Sequence, residues 1–170
     1  MAGLSPCIDE ALVARAAEVV AGLKRKQLTL VTAESCTAGL ISAALSQAPG
    51  AGEVLHGSFV TYTKANKAMA LGVDLFVLKS QGSVNAEVVR QLARGALARS
   101  PADLALAVSG VLGPEPDVDG NPVGLVYFCC CHRHEELRVL RADMGQLPHD
   151  TLRREAVLQG LAFIDTCIER

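Results

Sequence analysis

From Asp9 to Lys26 apolar side chains recur at Leu12, Ala16, Val19, Val20 and Leu23 while basic residues gather near the end. This is the spacing and charge bias of an amphipathic helix. The period then changes: Leu28 to Ala33 is short, β-branched and almost wholly apolar, as expected of a strand covered on both faces. A second helix is predicted from about Thr37 to Gln47, ended by Ala48-Pro49-Gly50, and a second strand over Val54 to Thr63. Lys64 to Leu71 reads as a short helix and Ala86 to Arg99 as a longer one with Val88, Val89, Leu92 and Leu97 facing the core. Asp103 to Val108 repeats the buried-strand pattern. The Gly/Pro/Asp-rich stretch from Gly110 to Pro122 is a loop, followed by strands over Val123–Cys131 and Glu136–Arg141 joined through His132-Arg133-His134. Asp150 to Ile168 closes the chain as a helix. Alternating strands and helices predict an α/β protein, a three-layer α/β/α sandwich on a mixed, mostly parallel sheet whose late strands form an antiparallel pair. No repeat or linker divides the chain, so residues 1–170 are expected to form one domain.

Composition narrows the function classes. The 170 residues are 50% hydrophobic and 20% charged, enough apolar material for a real core. A net charge of −2 gives no general attraction to nucleic acid or to an anionic membrane, and neither is expected as a partner. Cys129, Cys130 and Cys131 are contiguous in an apolar run, which suits reduced thiols better than a disulfide scaffold. The segment Met1 to Cys7 lacks a basic start and an apolar core, and no stretch is long enough to span a bilayer, so a cytoplasmic location is expected.

In open α/β sheets ligands bind beyond the carboxyl ends of strands, which directs attention to Thr32–Thr37 and to Ser109-Gly110. Glu34, Ser35, Cys36 and Thr37 lie at a strand-to-helix junction, where free backbone N–H groups favour a developing oxyanion; a plain helix cap by Ser35 or Thr37 explains the same residues. A nucleophilic serine needs a base. His56, His132, His134 and His149 stand in no triad motif, whereas Tyr62, Lys64 and Lys67 follow a strand end within one short segment. Cys36 competes as nucleophile if a helix N-terminus lowers its pKa, against the alternative of an inert buried thiol. Strand alternation sets Cys130, His132 and His134 on one side, but no C-x-x-C pair accompanies them and no metal is expected. The glycines of Gly110-Val111-Leu112-Gly113-Pro114 suit either close ligand approach or a simple turn; the stretch matches neither a Walker A loop nor a dinucleotide fingerprint, and no cofactor is expected.

Taken together, several blocks resemble the CinA C-terminal family, the nicotinamide-nucleotide amidohydrolases also called PncC. They are Thr32-Ala33-Glu34-Ser35-Cys36-Thr37-Ala38-Gly39, Gly57-Ser58-Phe59-Val60-Thr61-Tyr62-Thr63 with Asn66-Lys67 and Leu71-Gly72-Val73, Ala107-Val108-Ser109-Gly110-Val111-Leu112-Gly113-Pro114, and Pro122-Val123-Gly124. The resemblance implies hydrolysis of the carboxamide of nicotinamide mononucleotide to nicotinic acid mononucleotide and ammonia, in NAD salvage and without a metal. It places the catalytic serine on Ser35, its tyrosine and lysine on Tyr62 and Lys67, and a hydroxyl residue on Ser109. Lys67 then takes the Ser35 proton directly or through Tyr62, and the helix start after Ser35 supplies oxyanion donors. Glu34, Cys36, Thr37, Gly39, Gly110, Gly113, His149 and Arg153 are expected to line the substrate. A pyridine nucleotide is the expected small-molecule partner, and the amphipathic first and last helices suit a homo-oligomer.

The chain also departs from the family pattern. Ala38 replaces the first glycine of the family's Thr-Gly-Gly. Glu115, Asp117 and Asp119 enter a loop that usually ends in Lys-Pro-Val-Gly. Gln146 to Asp150 replaces the usual Gly-Asp-Arg, leaving Arg153 and Arg154 as the nearest substitutes for a phosphate-binding arginine. Two other readings follow: an amidase for a different or less charged amide, and a CinA-like ligand- or partner-binding protein with little turnover.

Overall fold

The computed structural model describes residues 8–169. The first helix, α1, runs over Glu10–Lys26 with Asp9 capping it through the Leu12 amide, and buries Leu12, Ala16, Val19, Val20 and Leu23 as the periodicity requires. The strands are β1 (Leu30–Glu34), β2 (Leu55–Val60), β3 (Leu104–Gly110), β4 (Leu125–His132) and β5 (Arg138–Asp143). Between them lie α2 (Leu40–Ser46), α3 (Ala51–Val54), α4 (Lys64–Leu71), α5 (Leu75–Ser80) and α6 (Ala86–Ala98), and α7 (His149–Ile168) ends the described chain.

All five strands join one sheet in the order β2-β1-β3-β4-β5. The strand β1 pairs in parallel with β2 and β3, while β3/β4 and β4/β5 are antiparallel, so the pairings divide evenly between the two senses. Alternate strand residues serve the two faces. Leu30, Leu104, Leu106, Val108, Phe128 and Cys130 pack under α1, α2, α3 and α7. Val31, Ala33, Ala105, Ala107, Cys129 and Cys131 pack under α4, α5 and α6. These are the three layers.

Most differences from the sequence reading are at element ends, but α3 and α5 are additional helices. The strand β1 starts at Leu30, not Leu28, and extends to Glu34, while β2 stops at Val60. The larger correction concerns α2, which starts at Leu40 and not at Thr37. Residues 36–39 form turns in which Ala38 and Gly39 take left-handed conformations, φ 52° and φ 92°. The resulting turn separates Ser35 from the helix axis. No helix among the described residues is long and apolar enough to cross a membrane.

The chain leaves β1 through α2 and α3 on one face and reaches β3 through α4 to α6 on the other. The adjacent carboxyl ends of β1 and β3 therefore form a topological switch point, the place where such sheets leave a crevice.

Candidate active site

Ser35 follows the last residue of β1, and its amide donates to the Val108 carbonyl of β3 at 3.1 Å. This bond fixes the serine beside the end of β3. Because strand neighbours face opposite ways, Glu34 points under α2 and Ser35 points to the α4–α6 side.

On that side α4 presents Lys67. Thr63 caps the helix through the Asn66 amide at 3.1 Å, which sets its phase so that Lys67 and Leu71 turn inward. Lys67 is 1% exposed and Ser35 7%. The Lys67 Nζ lies 2.7 Å from Ser35 Oγ, 2.6 Å from the Thr61 carbonyl and 3.4 Å from the Tyr62 carbonyl. Burial is the main cause that brings the Lys67 ammonium down from 10.5 to about 8. In the neutral amine two N–H groups satisfy the two carbonyls, and the lone pair is left for the Ser35 hydroxyl. Lys64, the other lysine of the segment, pairs with Asp119 at 2.6 Å and has no part in this arrangement.

A cleft of about 240 Å³ opens over Ser35. Its wall includes Cys36, Tyr62, Ser109, Gly110, Gly113 and His149, all anticipated, and also Ser83, Val84, Glu115 and Asp117, which were not. The Ser109 hydroxyl is 1% exposed and donates to the Ser83 carbonyl at 2.8 Å, so it fastens the 81–84 turn to the cleft. The acidic loop is fastened as well: Asp119 binds Lys64 and accepts from the Ser83 amide at 3.3 Å, while Asp117 accepts from the Asn121 amide at 2.8 Å.

Several expected roles change. Tyr62 is 67% exposed, and its backbone carbonyl, not its phenol, reaches Lys67; the lysine meets the serine directly. Glu34 is buried away from the cleft. Its carboxylate accepts from Thr37 Oγ1 at 2.7 Å, the Ile41 amide at 3.0 Å and the Ser42 amide at 2.9 Å, and so supplies the cap that Gly39 lacks a side chain to make. Glu34, Thr37 and Gly39 thus shape the turn and do not line the cleft. Because Glu34 occupies the first helical amides, the start of α2 offers no oxyanion donors. Arg153 lies outside the lining and binds Asp150 at 3.3 Å, and Arg154 turns to Asp9 at 2.6 Å. Burial pushes the Cys36 thiol up to about 12 despite the nearby Lys67 charge, which removes the thiolate needed for the competing mechanism. Among the described residues no cluster of ligating side chains forms a metal site; His134 lies in the turn beyond β4.

Thr61 is a residue that sequence reasoning missed. Its carbonyl holds Lys67, and its Oγ1 is buried without a hydrogen-bond partner among the described residues. Its position directly before Tyr62, after the last apolar residue of β2, was the available signal.

The fold and this site define an α/β protein in which a buried lysine addresses a serine at a strand end. Residues 13–168 match the family model of the CinA C-terminal domain, and the chain belongs to that family. It is 44% identical over 150 residues to a CinA-like protein of Pseudothermotoga lettingae, covering 88% of this chain and 36% of that protein. It is also 44% identical over 132 residues to a CinA-like protein of Akkermansia muciniphila, covering 78% of this chain and 31% of that one. The chain thus spans about a third of the length of these relatives. The crystal structure of the competence/damage inducible protein CihA from Agrobacterium tumefaciens superposes with a TM-score of 0.90 at 31% identity, covering 98% of this chain and 100% of that one. The competence damage-inducible protein A of Klebsiella pneumoniae gives 0.87 at 32% identity, covering 91% and 95%.

Proposed function

We propose that the protein is a metal-independent amidohydrolase with Ser35 as nucleophile and Lys67 as base, and that its substrate is nicotinamide mononucleotide. The observation that carries this reading is the 2.7 Å contact between a buried Lys67 amine and the Ser35 hydroxyl at the wall of a cleft. The family resemblance supports the choice of substrate.

At pH 7 about a tenth of the protein holds Lys67 as the neutral amine, and near pH 8 about half does. In that form Nζ takes the Ser35 proton as Oγ attacks the carboxamide carbon. The ammonium then returns the proton to the departing nitrogen, which leaves as ammonia, and an ester of Ser35 remains. Lys67 next takes a proton from water, which attacks the ester; the acid departs and Ser35 regains its proton. The amide of Cys36, a cleft residue, is engaged by no carbonyl among the described residues and is the donor left beside Ser35 for the oxyanion. His149 is the group in the cleft wall suited to the phosphate.

A second reading has its own support. The described wall carries Glu115 and Asp117 and no lysine or arginine, which disfavours a phosphate and favours an uncharged or cationic carboxamide. Ammonia release from nicotinamide mononucleotide and from nicotinamide riboside, compared at equal concentration, decides between them. The first reading predicts that the nucleotide has the higher kcat/KM. A higher value for the riboside overturns the nucleotide assignment, and release from neither overturns both readings.

A further inference from the structure

Away from the Ser35 cleft, the α7 face of β4 meets the last turn of α7. There Cys130 and Cys167 join the same core cluster, at 1% and 2% exposure, and both face one cavity. A second cavity of about 100 Å³ opens on them, bounded also by His132, Arg138 and the acidic pair Glu135 and Glu136. Arg138 Nη1 stands 3.7 Å from Cys167 Sγ and 3.2 Å from Thr166 Oγ1, and Thr166 Oγ1 is 3.9 Å from the same sulfur. The imidazole of His132 is held on the Cys167 carbonyl at 2.9 Å.

The two thiols differ in kind. Burial raises Cys130 well above its ordinary value. Cys167 is lowered instead, because the neighbouring Cys130 side chain, with Thr166 and Arg138 against its sulfur, favours the thiolate. Cys36 and Cys129, by contrast, are raised to about 12 by burial. Arg138 and Thr166 stand against the Cys167 sulfur and set it up to attack, with Cys130 in the same cavity wall to resolve, a division of labour the serine chemistry does not use.

We propose that Cys167 and Cys130 form a peroxide-reactive thiol pair, a modification site separate from the Ser35 cleft, whose co-reactant is a small uncharged hydroperoxide. The Cys167 thiolate attacks one oxygen of hydrogen peroxide. A sulfur–oxygen bond forms, the oxygen–oxygen bond breaks, and the departing hydroxide leaves as water after taking a proton. Cys130 sulfur then attacks the Cys167 sulfenic acid; the disulfide bond forms, and the hydroxyl departs with the Cys130 proton as a second water. Peroxide is reduced and two thiols are oxidised. The small cavity and its two glutamates exclude large anionic oxidants such as oxidised glutathione.

The test treats the full chain with hydrogen peroxide, blocks remaining thiols by alkylation and maps the products by mass spectrometry. The expected result is a fragment joining Cys130 to Cys167, with an intact mass lower by two hydrogens. Cys130→Ser should stop at a sulfenic acid on Cys167 that dimedone traps. Cys167→Ser should consume peroxide at pH 7 at least about 10-fold more slowly than the parent chain. Oxidation that falls first on Cys36, Cys129 or Cys131, or no oxidation in excess peroxide, overturns the proposal. The mapping of the parent chain stands even if a variant fails to fold.

Discussion

Replacing Lys67 with Met keeps the apolar stem and removes the amine, and its consequence for stability follows from the burial of Lys67. In the folded chain the ammonium loses its proton near 8, against 10.5 in the unfolded chain. Between those values the unfolded state holds a proton that the folded state has lost, so the stability of the parent protein rises with pH through that window. Below about 8 both states are protonated and the full cost of the buried charge is present, on the order of 3 kcal/mol. The methionine variant carries no such cost. It also loses the hydrogen bonds to the Thr61 and Tyr62 carbonyls, an offset that does not vary with pH. The difference in unfolding free energy should therefore move toward the parent protein by about 3 kcal/mol between pH 7 and pH 10.5. Urea unfolding followed by far-ultraviolet circular dichroism measures it, since the chain has no tryptophan and only 2 tyrosines. A difference that stays flat over this range refutes a depressed lysine pKa, and with it the assignment of Lys67 as base.

Further consequences concern the scaffold. Glu34→Gln places an amide donor against the Ile41, Ser42 and Thr37 donors, and should cost about 2–4 kcal/mol in chemical denaturation and lower turnover through the displaced Ser35 turn. Ala38→Gly relieves a left-handed alanine at φ 52° and should stabilise the protein by up to about 1 kcal/mol, measurable as a higher midpoint in urea. Gly95→Ala builds a methyl 2.1 Å from the Leu71 carbonyl, where α6 meets the helix that carries Lys67. It should lower kcat for ammonia release by at least about 10-fold while the protein stays folded, because a displacement of 1 Å at a reacting group is that costly.

The fold was largely legible because its signals are local. Asp9, the apolar stripe of α1 and the basic last turn each mark that helix independently, and the wholly apolar runs of β1 and β3 announce strands covered on both faces. By contrast α5 was hidden: it leaves Leu75 and Phe76 exposed, so its apolar positions do not mark a buried stripe. Within the site, Ser35 was legible as a polar residue at the end of a buried strand. The choice of Lys67 over Lys64 rested on the family resemblance and not on spacing; in the fold it is helix phase, set by the Thr63 cap, that turns Lys67 and Leu71 inward together. The role of Glu34 was misjudged because proximity in sequence was taken as proximity in the cleft, whereas strand alternation turns adjacent residues to opposite faces. The late start of α2 rests on a left-handed alanine, a conformation its residue type does not advertise. The carbonyl contacts of Thr61 and Tyr62, and the closing of the 111–124 loop on Ser83 and Lys64, are long-range or backbone features without a side-chain pattern.

The central claim is that Ser35, deprotonated by Lys67, attacks a carboxamide. It is tested most directly by measuring ammonia release from nicotinamide mononucleotide in the presence of a chelator, with the parent protein, Ser35→Ala and Cys36→Ala side by side. The account predicts chelator-resistant release by the parent protein and by Cys36→Ala, and a loss of at least about 10³-fold in Ser35→Ala. Release that persists in Ser35→Ala, or that disappears in Cys36→Ala alone, contradicts it.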